Sequence, residues 1–167
     1  FEKFQDKRLK YFCSKKHVVL YDARNLAIQK AQGDFVAFLD TDDVWLSDKL
    51  EKQMRIFDDP TVGLVYGNYW ILNKKKIIKK KIFSKKKLER GMITESLLKD
   101  YKVGLLTIII RKSLLKNLDQ VFNSSYDSIA DFDFVIKFSL KHKIDCVQEP
   151  VAIYRQHANQ LSKKLFN

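Results

Sequence analysis

Five apolar residues in succession, Phe35-Val36-Ala37-Phe38-Leu39, are entered through Gly33-Asp34 and left through Asp40-Thr41-Asp42-Asp43. A run that short, apolar at every position and carrying two aromatics, predicts a strand buried on both faces, as in helix-covered sheets. Its abrupt acidic ending constrains function as much as fold. Open α/β sheets bind ligands at the carboxyl ends of their strands. Neighbouring carboxylates raise one another's pKa, so the cluster is easiest to understand if a hard cation shares the site. A solvated turn explains the same residues, since Asp and Thr are ordinary turn formers.

The elements around this strand repeat one logic. Arg8-Leu9-Lys10-Tyr11-Phe12 alternates and predicts a strand. Asp22 stands as N-cap of a helix over Ala23 to Gln32, with Gly33 as its C′ residue. After the acidic loop, Ser47 caps a second helix whose Leu50, Met54 and Phe57 share a face, and Asp58-Asp59-Pro60 ends it. Val62-Gly63-Leu64-Val65-Tyr66 is the next apolar strand. Strand, helix, strand, helix, strand predicts an α/β fold with a mostly parallel sheet flanked by helices. Further on, Asn68 to Phe83 reads as a hairpin or excursion with its lysine-rich part at 74–87, Thr94 opens a short helix, and Leu105 to Ile110 is a buried strand. A helix over 129–140 carries its acids at the start, where they suit the helix dipole. Asp145-Cys146-Val147 and Val151-Ala152-Ile153-Tyr154 read as closing strands.

At 167 residues the chain is one domain's worth of material, and 46% apolar with 13% aromatic content fits a globular protein, not a disordered one. Cys13 and Cys146 are far apart and lack histidines at ligand spacing, so neither a disulfide framework nor a zinc site is expected, and a reducing cytoplasm is the default location. No apolar run approaches the roughly 18 residues of a membrane span. Net charge is +12, yet nine lysines fall between Lys74 and Lys87 with no acid among them, which leaves +3 for the rest. The basicity is therefore local. Nucleic-acid footprints spread their charge and add exposed aromatics or a recognition motif, so nucleic acid is not an expected partner. The interleaved Ile77, Ile78, Ile82 and Phe83 fit a basic hairpin lying on anionic lipid, at the inner face of the cell membrane. Edge-strand lysines that prevent aggregation account for the same run.

Ala23-Arg24-Asn25, then Gly33 to Asp43, then Asp131-Phe132-Asp133-Phe134, then Tyr154-Arg155-Gln156-His157 together resemble the family 2 glycosyltransferases of the GT-A fold, in order and approximate spacing. The resemblance implies a Rossmann-like GT-A sheet and a metal-assisted, inverting transfer of a sugar from a nucleotide-diphosphate-sugar donor to a saccharide or lipid-linked acceptor. It implies that Asp40-Thr41-Asp42 binds a divalent cation, manganese or magnesium, with Asp42 the direct ligand and Asp40 and His157 beside it. It gives Arg24 and Asn25 to the nucleotide, with a guanidinium fork suited to phosphate or a uracil edge. Trp45 and Arg155 join them as substrate-binding residues, and Trp45 also fits a core anchor. Asp131 falls at the catalytic base, where the family has a Glu-Asp pair and this chain has Ala130-Asp131. Asp133 resembles a structural acid two residues on. The family's domain opens with a strand-helix-strand unit that holds the nucleobase, and nothing before Arg8 resembles it. The expectation is a truncated domain over 1–167 that binds nucleotide-sugar poorly by itself. An inactive fragment, a haloacid-dehalogenase-like phosphatase with Asp40 as nucleophile, and a basic binding module are the alternatives.

Overall fold

The computed structural model describes residues 6–73, 79–116, 118–126 and 128–157, with Lys79 and Lys80 described by backbone alone. Among the described residues four helices, α1 (Leu20–Lys30), α2 (Lys49–Met54), α3 (Thr94–Lys99) and α4 (Ala130–Ser139), accompany six strands. These are β1 (Phe35–Ala37), β2 (Val44–Trp45), β3 (Val62–Asn73), β4 (Lys79–Ile82), β5 (Ile109–Arg111) and β6 (Lys143–Gln156). They form one sheet in the order β1-β5-β3-β6-β2, with β4 pairing the far end of β3.

The α/β class holds, but the sheet is mixed. Only β3 and β6 pair in parallel; the pairs β1·β5, β3·β5, β2·β6 and β3·β4 are antiparallel. The strand-helix-strand reading of β1-α2-β3 survives in one respect, because β1 and β3 run the same way. What it could not contain is β5, which inserts between them antiparallel to both. Burial on both faces makes a strand apolar whatever the direction of its neighbours, so the sequence pattern is blind to that insertion.

β3 shows how the layers form. Leu64 and Tyr66 join Val36, Ile108, Ile110, Phe122, Phe134, Val135 and Ile144 under α1, α3 and α4, while Val62 and Val65 meet Phe57 and Ile109 on the opposite face. From Leu64 to Tyr66 this is the period-two alternation of a strand covered on both sides; Val62 departs from it, at the irregularity where the β3·β6 register shifts between Val62 and Leu64. At the far end of β3, Tyr69 stacks on Phe83 with ring centroids 4.4 Å apart and joins Trp45, Leu106 and Ala152. Gly67 is where β6 comes closest, since a Cβ there would stand 2.7 Å from a Val151 methyl.

Several local expectations are corrected. Residues 8–12 form no strand; Lys10 Nζ instead donates to Gln32 Oε1 at 2.6 Å. α1 starts at Leu20, which places Asp22 inside the first turn instead of at the cap, and either place suits the dipole. The helix leaves through Ala31 in extended conformation, and Gly33 has no positive φ, so no left-handed glycine cap is made. Of the expected face Leu50, Met54 and Phe57, the last two pack into the core, but Leu50 is half exposed and the buried positions of α2 are Lys49 and Gln53. The reason is mutual satisfaction. Lys49 Nζ donates to Gln53 Oε1 and, at 3.2 Å, to Thr107 O, and Gln53 Nε2 donates to Thr107 O at 2.8 Å. Leu105–Thr107 is a 3-10 turn ahead of β5, and the two closing strands are one continuous β6. The hairpin reading of the lysine run agrees with the β3·β4 pairing from Trp70↔Ile82 to Asn73↔Lys79, while Lys74, Lys75, Lys76, Ile77 and Ile78 lie outside the described residues.

Candidate active site

The acidic loop leaves β1 and closes on itself, Asp43 N–H donating to Asp40 O at 3.0 Å, before entering β2. Its three carboxylates meet three different partners. Asp40 accepts both contacts from Arg24 Nη2, at 2.7 and 2.8 Å. The Arg24 side chain is only 12% exposed, and its guanidinium lies 5.6 Å from the Tyr21 ring centroid, one helical turn earlier on α1. Asp42 Oδ2 lies 2.8 Å from His157 Nε2. Asp43 is buried and accepts the Arg155 backbone N–H at 3.0 Å. Burial pushes its carboxyl up to about 6, an effect the Arg155 amide opposes and the Asp42 and Asp40 charges reinforce.

Arg155 reaches the same loop with its side chain. Nε donates to Asp42 O, and Nη2 donates to Thr41 O at 3.3 Å. Asp131 sits in the first turn of α4, with its pKa raised by burial. The Phe132 amide and its own amide stabilise the carboxylate in part; Arg24 also favours the charged form and Asp40 disfavours it. Asp131 is therefore near enough to feel both residues of the Arg24–Asp40 pair, more than ninety positions earlier in the chain.

Two predicted residues sit in structural contacts. Asn25 Nδ2 donates to Phe122 O at 2.7 Å and its Oδ1 accepts the Phe122 N–H at 2.9 Å, a two-way stitch from α1 to the segment ahead of α4. Trp45 donates its indole N–H to Leu106 O at 2.9 Å and lies under Lys49 Nζ at 4.8 Å, as a core anchor does. Two tyrosines at the Asp131 end were not foreseen. Tyr21 is buried, and the Ala130 and Asp131 amides bear on its hydroxyl. Tyr101 packs edge-on against Phe132 at 4.9 Å, and burial, reinforced by the Asp131 charge, holds its hydroxyl protonated. Tyr21 was discoverable from its i, i+3 spacing to Arg24; nothing local marks Tyr101.

Among the described residues, no group of three His, Cys, Asp or Glu side chains stands ready to hold a metal ion. The protein donors that come together are Asp42 and His157, with Asp40 paired to Arg24.

The family model described as glycosyl transferase family 2 matches residues 1–118. The chain belongs to that family. The match takes in Arg24, Asp40 and Asp42 and stops before Asp131, Arg155 and His157. An Escherichia coli relative, the UDP-Glc:alpha-D-GlcNAc-diphosphoundecaprenol beta-1,3-glucosyltransferase WfgD, is 35% identical over 112 residues, 67% of this chain and 42% of the relative. A second Escherichia coli enzyme of the same description, WfaP, is 27% identical over 144 residues, 86% of this chain and 54% of its own length. This family 2 chain thus spans about half the length of the curated relatives it matches. Among solved structures, S. aureus TarS 1–349 in complex with UDP-GlcNAc aligns with a TM-score of 0.64 at 18% identity, over 86% of this chain and 41% of that one. The likeness establishes the GT-A fold.

Proposed function

We propose that the protein is a metal-assisted, inverting glycosyltransferase, which moves a sugar from a nucleoside-diphosphate-sugar to an acceptor hydroxyl in surface polysaccharide or glycolipid synthesis. One observation carries the reading. A half-buried carboxyl with a raised pKa, Asp131, lies within electrostatic reach of the Arg24–Asp40 pair at the strand end where Asp42 meets His157. A general base and a polar phosphate-and-cation site thus come together from three distant parts of the chain.

The donor chemistry fits a divalent cation. Asp42 supplies a hard carboxylate oxygen and His157 an imidazole nitrogen, which suit manganese, and magnesium also binds through one or two carboxylates plus substrate phosphates. When bound, the cation stabilises the charge that grows on the leaving nucleoside diphosphate. Arg24 offers a guanidinium with five N–H donors, of which Asp40 engages those on one nitrogen, so the fork suits a phosphate at the same time. Asp131 takes the proton from the acceptor hydroxyl as that oxygen attacks the anomeric carbon from the face opposite the diphosphate. Burial keeps its pKa above the ordinary carboxylate value, which makes it a better acceptor of that proton. With Ala130 in place of the family's glutamate, Tyr21 and Tyr101 stand beside this base together with the Arg24–Asp40 pair.

The names of the relatives favour a uridine-nucleotide donor and an acceptor on a lipid diphosphate. Such an acceptor would place the protein at the inner membrane face, with Lys74–Lys87 toward anionic lipid. Among the described residues, no helix is long and apolar enough to cross a membrane. The test is a pair of variants of the full protein, assayed with UDP-sugars and manganese. Asp131→Asn should leave donor binding intact and lower turnover by roughly 10²-fold or more. Asp42→Ala should abolish manganese-dependent transfer. A fully active Asp131→Asn enzyme would overturn the assignment of the base.

A further inference from the structure

The β2·β6 ladder runs through Trp45↔Ala152 and Val44↔Ile153. Continued in the same register it would set Asp42 opposite Arg155, but there the acidic loop turns away, and the Asp43 N–H is already spent on Asp40 O. Main-chain pairing therefore stops where the site begins. Side chains take over. Asp43 Oδ1 accepts the Arg155 backbone N–H, and the carbonyls of Asp42 and Thr41 accept from Arg155 Nε and Nη2. Loop and strand thus hold each other from both sides, each supplying a side chain to the other's backbone. His157, one residue past the end of β6, meets the same loop through Asp42.

We propose that Asp43 and Arg155 are positioning residues, a reciprocal latch that fixes the Thr41–Asp43 backbone and so sets the spacing of Asp42 and His157. The inference deepens the cation-site reading of this loop and rests on it. Arg155 then serves the site through loop carbonyls. A lysine cannot reproduce this, since one ammonium on a flexible stem does not span two carbonyls as a planar fork does. Asn at 43 can reproduce its part, because its amide oxygen accepts the Arg155 N–H as the carboxylate does.

Two measurements on the full chain decide the matter: amide hydrogen exchange without metal, and binding of Mn²⁺ alone followed by electron paramagnetic resonance. Arg155→Met should speed exchange in residues 41–43 and 155 about 10-fold and weaken Mn²⁺ binding by about 10-fold, the lower end of the effect of groups that orient metal ligands. Arg155→Lys should recover part of the loss. Asp43→Asn should keep wild-type exchange at the Arg155 amide, and Asp43→Ala should not. Unchanged exchange and unchanged Mn²⁺ affinity in Arg155→Met would overturn the latch. If the wild type binds no Mn²⁺ while the Arg155 variants still loosen the loop, the latch stands and the cation reading falls.

Discussion

Lys49 is fully buried, its Nζ held by Gln53 Oε1 and Thr107 O above the Trp45 ring, and burial lowers its pKa from 10.5 to about 7. Between those two values the unfolded chain carries a proton that the folded chain lacks, so unfolding takes up a proton and stability must rise with pH. The slope for one group is about 1.4 kcal/mol per pH unit, which over this window accumulates to about 5 kcal/mol. Below pH 7 the ammonium is charged in both states, and the cost of burying it is at its full, constant value. Lys49→Met removes this dependence. It forfeits the contact to Gln53 Oε1, worth about 1–3 kcal/mol if that oxygen is left without a partner, whereas Thr107 O keeps its bond from Gln53 Nε2. At pH 7 the variant should therefore be about 1–3 kcal/mol more stable than the wild type, with the order reversing between about pH 8 and 10. Urea unfolding of both proteins at pH 7, 8, 9 and 10 provides the test. Taking the difference between them cancels the titration of every other group. A difference that stays flat with pH would refute the argument, since it would mean that Lys49 is buried without having lost its proton.

Burial of Asp131 displaces its pKa upward, and a base works only when deprotonated, so kcat should fall on acidification at a pH above the ordinary carboxylate range; a rate still flat at pH 4 would count against Asp131 as the base. Gly67→Ala would place a methyl 2.7 Å from Val151 Cγ2 across the β3·β6 pair, so a destabilisation of about 1–3 kcal/mol is expected, readable as a lower urea midpoint. The lysine run makes a third expectation: co-sedimentation with anionic vesicles at low salt that vanishes at high salt, and the absence of binding at low salt would leave those lysines as solvated edge charges.

What the sequence made legible follows the range of the interactions. The strands at Phe35 and Val62 were readable because burial on both faces writes itself into consecutive residues, although the first ends at Ala37 and leaves Leu39 half exposed. The helix at Thr94 and the acid-led helix at Ala130 were readable for the same local reason. Lys49 and Gln53 were not. Hydrophobicity nominates Leu50 as the buried anchor of α2, and only the carbonyls of Thr107 and Val65, far along the chain, explain why a lysine and a glutamine take its place. The insertion of β5 between β1 and β3 is equally nonlocal. Asn25 illustrates a different failure: its neighbour Arg24 meets the acidic loop, yet its own amide is spent on Phe122, and motif membership cannot separate the two.

The topology explains why the acidic loop must be where it is. β1 and β2 lie at opposite ends of the strand order, with β5, β3 and β6 between them, yet only residues 38–43 connect them. Four interstrand spacings of about 4.8 Å make about 19 Å, and the seven Cα steps from Ala37 to Val44 reach at most about 24 Å when extended. The connection therefore crosses the end of the sheet with little chain to spare, and it does so through the Asp40–Asp43 turn, with Leu39 to Thr41 on its exposed side. A chain so drawn passes the end of β6, where Arg155 and His157 wait, and comes within reach of Arg24 on α1. The short tether is thus what turns an acidic turn, unremarkable as a string of residues, into a convergent site, and the same economy makes its backbone carbonyls dependent on Arg155 for partners.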